Sequence, residues 1–314
     1  MRKAILVFVL AAWSSAMAAS EFFVSPSGDD ANPGTLERPF ATLARAQRAA
    51  RAAPRPVTVY LRGGTYYLDQ TLVFTAADSG KPDAPVTYRA YQNEKPVVSG
   101  AFPLKLHWTD HEGGIKKAKV PPGTRTDQLF VNGLLQPLAR YPNYDPKVAV
   151  FNGYARDCLA RERVARWKDP TGGFIHALHR ARWGGMHYVI TGKKPDGSLA
   201  YEGGWQNNRP SGMHPTFRFV ENIFEELDAP GEWFLDEKTD TLYYYPPAGL
   251  DLSRAKVEGV RLRHLVEFRG SKKAPVRHLV LRGLVFRGAA RTFMETREPL
   301  LRSDWCIYRG GAVI

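Results

Sequence analysis

The chain has 314 residues, a formal net charge of +13 and two cysteines. Two cysteines make no disulfide framework, and neither Cys158 nor Cys306 has a neighbouring cysteine to build a thiolate metal site. The basic residues are spread along the chain rather than gathered in a stripe on one element, which argues against a nucleic-acid-binding module. Such a charge steers a protein toward an acidic polysaccharide or a negatively charged surface, or it simply keeps the chain soluble.

The first stretch reads as a secretory leader. Arg2 and Lys3 form a charged start, Ala4 to Trp13 is apolar, and Ala16-Met17-Ala18 offers a small-x-small cleavage site. The apolar run is well short of the ~20 residues needed to span a bilayer. Residues 1–19 are therefore expected to be removed, leaving a secreted or periplasmic protein without a membrane anchor.

Phe22-Phe23-Val24 then reads as a short strand, and SPSGDDANPGT as a turn. Asp29-Asp30 beside Asn32 lacks the ligand series and closing Glu of an EF-hand calcium loop, so turn chemistry is the expected role. Thr42 is placed as an N-cap, and Leu43, Ala46 and Ala50 fall at helical spacing over Leu43–Ala53. Pro54 and Pro56 end that helix.

From Val57 to Gly100 four short β-rich runs follow: Val57–Leu61, Thr71–Phe74, Val86–Ala90 and Val97–Ser99. Each is followed by a turn of Gly, Pro, Asp or Asn. They are too close together for crossover helices. Strands of this kind are expected to coil and stack as a right-handed parallel β-helix, with the Leu43–Ala53 helix covering its first coil. Gly63-Gly64 lacks the Gly-x-x-x-x-Gly-Lys pattern of a phosphate cradle, so it is read as a corner between sheets.

After Gly100 the rhythm breaks. Asn132-Gly133 centres a tight hairpin within Leu129–Leu134. Arg156 to Trp167 is expected to be a short helix, Phe174 to Arg182 stays ambiguous, and Met186–Thr191 is a strand. Trp233–Leu235 and Leu242–Tyr245 flank DEKTDT as a hairpin. Residues 101–260 therefore read as an inserted β-rich domain between a segment of cap and first coils (20–100) and resumed coils (261–314). In the last segment VRHLVLRGLVFRG alternates inward and outward residues around a corner at Gly283.

Residues 21–100 resemble the N-terminal entry of secreted β-helix proteins. FVNGLLQPLARYPN, GGFIHALHRARWGGMHYVITG, EGGWQNNRPSGMHPTFRFVENIFEELDAPGEWFLDEKTDTLYYYPP and RTFMETREPLLRSDWCIYRGGAV are similar to the β-helix glycoside hydrolases of the fucosidase/xylanase type and their unassigned relatives. The resemblance implies an all-β, pectin-lyase-like parallel β-helix acting on plant cell-wall polysaccharide, with no cofactor. It matches the front half of such enzymes, whose proposed catalytic carboxylates sit in later coils. The expectation is thus an incomplete, inactive fragment that self-associates through an uncapped end. A β-helix polysaccharide lyase and a non-catalytic carbohydrate-binding or cell-surface protein remain as alternatives.

Glycoside hydrolysis needs two carboxylates facing one sugar. Glu295 and Asp304, with Glu298 beside them, are the carboxylates placed to serve, although Glu295 and Glu298 can equally pair with Arg291, Arg297 or Arg302. His176 and His179 are three apart, as on a helix face, but His-Glu-x-x-His is absent and no metal is expected. Trp183, His187, Trp205 and Asn207 are the mixture that stacks on and hydrogen-bonds sugars. Trp183 and Trp205 fit interface core equally well.

Overall fold

The computed structural model describes residues 19–204, 212–292, 298–299, 306–307 and 310–314. The leader, Trp205, Asn207, Glu295 and Asp304 lie outside the described residues. Among those residues no helix is long and apolar enough to cross a membrane. The chain divides into two units. One takes the described residues up to Tyr66 with Leu72–Val97 and Phe268–Val285. The other takes Tyr67–Thr71, Val98–Glu267 and the described residues from Phe286 onward.

The first unit is organised by an all-parallel sheet of four strands, in the order Ser20–Val24, Val57–Leu61, Val86–Ala90 and Leu279–Arg282. Its registers place Val57 on Val86, Val59 on Tyr88 and Leu61 on Ala90. All six are buried, while Thr58, Tyr60, Thr87 and Arg89 between them are only partly covered. This two-residue alternation makes each strand a layer that stacks on the next without shifting face. On the partly covered face of the sheet, Phe23 stacks on its register partner Tyr60 at 5.1 Å. The corner after Leu61 is pinned by Tyr66, whose hydroxyl donates toward the Val24 and Arg62 carbonyls at 2.8 and 2.7 Å. Gly64 turns that corner at φ 127°, a conformation that favours glycine.

The helix spans Leu43–Ala52 and begins where the Thr42 hydroxyl accepts the Arg45 N–H at 3.1 Å. Asp30 explains the acidic turn before it. Its carboxylate accepts the Ala41 and Thr42 N–H groups, both at 2.9 Å, and the Thr42 hydroxyl at 2.7 Å. The helix buries Leu43, Ala46, Gln47 and Ala50. Gln47 Nε2 donates to the Val73 carbonyl at 2.7 Å, and Arg51 grips buried Asp78 with two bonds of 2.6 and 2.8 Å.

The second unit is built from antiparallel sheets. One runs Leu134–Gln136, Leu129–Val131, Val257–Val260, Ala101–Leu104. Asn132 and Gly133, both at positive φ, close its first hairpin as a type I′ turn requires. A second sheet runs Trp233–Asp236, Thr241–Tyr244, Lys116–Lys119, Thr109–Asp110. Leu104, Leu129, Leu138, Trp233 and Tyr244 belong to one core.

The third sheet has five strands, in the order Arg140–Tyr141, Met213–Glu221, Phe174–His179, Gly185–Lys193, Leu199–Gly203. Ile175, Met186, Tyr188, Ile190 and Val220 of this sheet pack with Val164 and Trp167. The short helix is Arg161–Arg166 rather than the wider span read from the sequence. The Arg156 carbonyl is taken by Arg218 Nη2 at 2.8 Å, and the Tyr141 hydroxyl holds Asp157, so the preceding backbone is held in turns. Glu226 anchors the helix. It accepts from Arg163 Nη1 at 2.9 Å on both oxygens and from the Trp167 indole at 2.7 Å. Cys158 is free and buried, and burial pushes its thiol up to about 12.

Candidate functional site

The five-stranded sheet carries a cluster of ionisable side chains. Antiparallel register sets His176 directly opposite His187 on one side and Phe219 on the other. The two imidazoles meet through their Nδ1 atoms at 2.8 Å, and the His176 ring lies on Phe219 at 4.6 Å with 15° between planes. His176 Nε2 reaches Glu221 Oε1 at 3.1 Å, and Arg291 Nη1 donates to the same oxygen at 2.6 Å. Asp127 also approaches the guanidinium, 3.9 Å from Arg291 Nε.

Charge orders these contacts. Burial opposes ionisation of Glu221, but His176 and Arg291 together hold its carboxyl down, at about 2. An ionised carboxylate only accepts, so His176 Nε2–H is the donor. Burial, helped by His176, pushes His187 down to about 4, so this ring is neutral at ordinary pH. Asp127 moves the other way: desolvation raises its carboxyl despite Arg291. Two carboxyl groups thus share one guanidinium while their environments drive their proton affinities apart, an arrangement that recurs where acid and base roles are divided. Asp127, one-third exposed at its side chain, is the member of this pair nearer to solvent.

Of the residues singled out from the sequence, His187 belongs to this cluster. Trp183 sits in the turn between the Phe174–His179 and Gly185–Lys193 strands and is 64% exposed, which removes the interface-core reading. Its indole lies parallel to the His179 ring at 5.3 Å, 8° apart. That ring is itself fixed, because His179 Nδ1 accepts the Ala181 N–H at 3.0 Å. His176 and His179 lie on a strand, not a helix face. The pairing shifts between Ala177 and His179, so the two rings serve different neighbours. Among the described residues no group of three His, Cys, Asp or Glu side chains is placed to hold a metal ion.

Sequence reasoning did not single out Asp127 or the role of Glu221. Asp127 sits in a polar Thr-Asp-Gln stretch with nothing local to mark it. Glu221 does carry a signal: it lies two residues beyond Phe219 on one strand, a carboxylate at an inward position.

Comparison with known proteins bears first on the fold. Residues 22–109 match the family model of the Pel9A-like, right-handed beta helix region. The parallel sheet of the first unit accords with that match, so the chain is an all-β protein with few helices and a β-helix region at its front. The particular relatives are of two kinds. Over 78 residues the chain is 46% identical to the uncharacterized protein YwoF of Bacillus subtilis, and over 94 residues it is 37% identical to pectate lyase PEL9 of Emericella nidulans. These matches take in 25% and 30% of this chain, and 15% and 22% of those proteins. A solved glycoside hydrolase shares the fold over 87% of this chain and 51% of its own, with a TM-score of 0.72 and 24% identity.

Proposed function

We propose that this chain belongs to an exported, carbohydrate-active protein of β-helix type that hydrolyses a plant cell-wall polysaccharide. The observation that carries the reading is the extent of the shared fold. The likeness to a glycoside hydrolase runs through 87% of the chain, so it takes in the antiparallel unit as well as the parallel coils. In this reading Trp183 is the sugar-stacking platform. Its exposed face has the shape and polarisation that pyranose C–H groups seek, and its other face rests on His179. His187 and Asp127 supply hydrogen-bonding groups, with Glu221 and Arg291 holding the set in place. Glu295 and Asp304 remain proposed carboxylates for the chemistry.

A second reading, cleavage by elimination, is favoured by the match of residues 22–109 and by the 37% identity to a pectate lyase. The two differ in their products. Hydrolysis releases reducing ends only, whereas elimination also creates an unsaturated sugar that absorbs in the ultraviolet. The test incubates the purified protein with xylan, fucosylated oligosaccharides and polygalacturonate, with and without calcium. New reducing ends without ultraviolet absorbance are expected. Calcium-dependent absorbance on polygalacturonate would replace hydrolysis with elimination, and binding without either product would leave a carbohydrate-binding protein.

A further inference from the structure

A second place in the antiparallel unit has the make-up of a ligand site. It is an open cleft of about 360 Å³, bounded by the Thr109–Asp110 strand, the start of the Lys116–Lys119 strand and the loop after Thr241–Tyr244. That volume falls within the range of small-molecule sites, roughly 300–1,000 Å³. We infer that this cleft, lined by Trp108, Asp110, Lys116, Leu250, Asp251 and Ser253, binds a neutral oligosaccharide. The inference takes its ligand class from the carbohydrate reading above, but it needs no turnover.

Three features point to a sugar rather than to an apolar ligand. Trp108 is half-buried and anchored, packing against the core with Leu250 and lying 6.2 Å from the Tyr244 ring. Its indole N–H has no hydrogen-bond partner among the described residues, so a fixed ring and a donor are offered together. Asp251 is pre-oriented: its Oδ1 accepts both the Ser253 N–H and the Ser253 hydroxyl, at 2.9 and 2.6 Å. Those bonds use one oxygen and leave Oδ2 for a ligand hydroxyl. Opposite it, Lys116 is paired with Asp110, so this pair presents a donor and an acceptor without net charge.

Charge selects among sugars. Asp110 and Lys116 offset one another, and Asp251, whose carboxyl is held below the ordinary range by its Ser253 bonds, leaves the lining with a net negative charge. A uronate would bring its own carboxylate against Asp251 and Asp110. A neutral pentose or hexose brings only hydroxyl groups, which match the donors and acceptors present.

The test compares xylohexaose with an oligogalacturonate of the same length, using isothermal titration calorimetry on the whole protein. Wild type should bind xylohexaose and prefer it to the oligogalacturonate. Trp108→Ala should weaken xylohexaose by about tenfold or more, and Asp251→Ala by roughly threefold. Because Trp108 touches the core, Trp108→Phe and Asp251→Ala serve as variants that keep the packing, each checked by its thermal melt. Native affinity in folded Trp108→Ala or Trp108→Phe protein, or tighter binding of the oligogalacturonate, would overturn the inference. So would the absence of any xylohexaose binding by wild type. Absence of turnover on polymer with this binding intact would instead count against hydrolysis alone.

Discussion

Glu221 and Glu232 show how far one carboxyl can diverge from another within a single unit. Glu221, gripped by His176 and Arg291, ionises well below its ordinary value of 4.5. Glu232 is buried, with Oε1 unpartnered among the described residues and Oε2 accepting the Asp228 and Ala229 N–H groups, and burial pushes it up to about 8. Linkage gives these shifts opposite signs. The depressed Glu221 contributes stability that is present above pH 4.5 and is lost as pH falls toward 2. The raised Glu232 contributes stability that is present below pH 4.5 and is lost as pH rises toward 8. Denaturant titrations across pH are expected to show both slopes. Glu221→Gln should remove the acid slope, on the order of 3 kcal/mol at its full extent, and Glu232→Gln should flatten the alkaline one. Unchanged pH profiles in both variants would show that these carboxyls titrate alike in the folded and unfolded chains.

At the same scale, Trp183→Ala should leave folding stability within about 0.5 kcal/mol, because the side chain is mostly in water. Under the proposed carbohydrate reading, affinity for a polysaccharide should fall by about 0.5–1.5 kcal/mol, the worth of one ring contact. Melting curves and affinity electrophoresis separate the two effects. A large loss of stability would make Trp183 a structural residue. The sequence marked Trp183 by type alone, which is why platform and core stayed equal there. Exposure separates them, and exposure depends on which residues the hairpin turn holds apart. Asp127 was invisible for a related reason: it meets Arg291 only because the fold brings distant segments together.

Elements were more legible than residues wherever a period of two met a corner. The runs at Val57–Leu61 and Val86–Ala90 stand as strands with those bounds, Leu72–Thr75 is shifted by one residue at each end from Thr71–Phe74, and Pro96–Ser99 begins one residue before Val97. Periodicity says nothing about partners, so the antiparallel order of the second unit could not be read. The three-residue spacing of His176 and His179 suits a helix face, but the segment is a strand, and there the two rings meet different neighbours. The Arg161–Arg166 helix depends on tertiary contacts more than on its six residues, too few to be stable alone. Its tie is Glu226, bonded to Arg163 and Trp167. Glu226→Ala leaves a largely buried guanidinium without its carboxylate and should cost roughly 3–5 kcal/mol. Trp167→Phe removes one bond and keeps most of the packing, for a loss of about 1.5–3 kcal/mol at a charged acceptor. Chemical denaturation checks both, and equal small losses would mean that the helix is held by packing alone.

Over the whole molecule, charge and local lining make different demands on a ligand. The chain carries 44 Lys and Arg against 31 Asp and Glu, and some of that excess is ordered by the fold. On the parallel sheet Arg282 is in register with Arg89, which is in register with Tyr60, so two like charges occupy successive layers. Neighbouring strands are ~4.8 Å apart, and the repulsion between those side chains is relieved by any anion that lies across them. A positive molecule should therefore capture an acidic polymer quickly in dilute salt, before any particular site decides whether it stays. The Debye length shortens from ~10 Å at 0.1 M salt to ~3 Å at 1 M, so that capture must weaken as salt is added. The expected result is a steep fall in the association rate with polygalacturonate between low and high salt, and almost no change with neutral xylan. Surface plasmon resonance over a salt series measures both. Arg89→Ala with Arg282→Ala should flatten the polygalacturonate dependence while leaving xylan untouched. Equal salt responses for the two polymers would show that the net charge has no part in choosing what this protein meets.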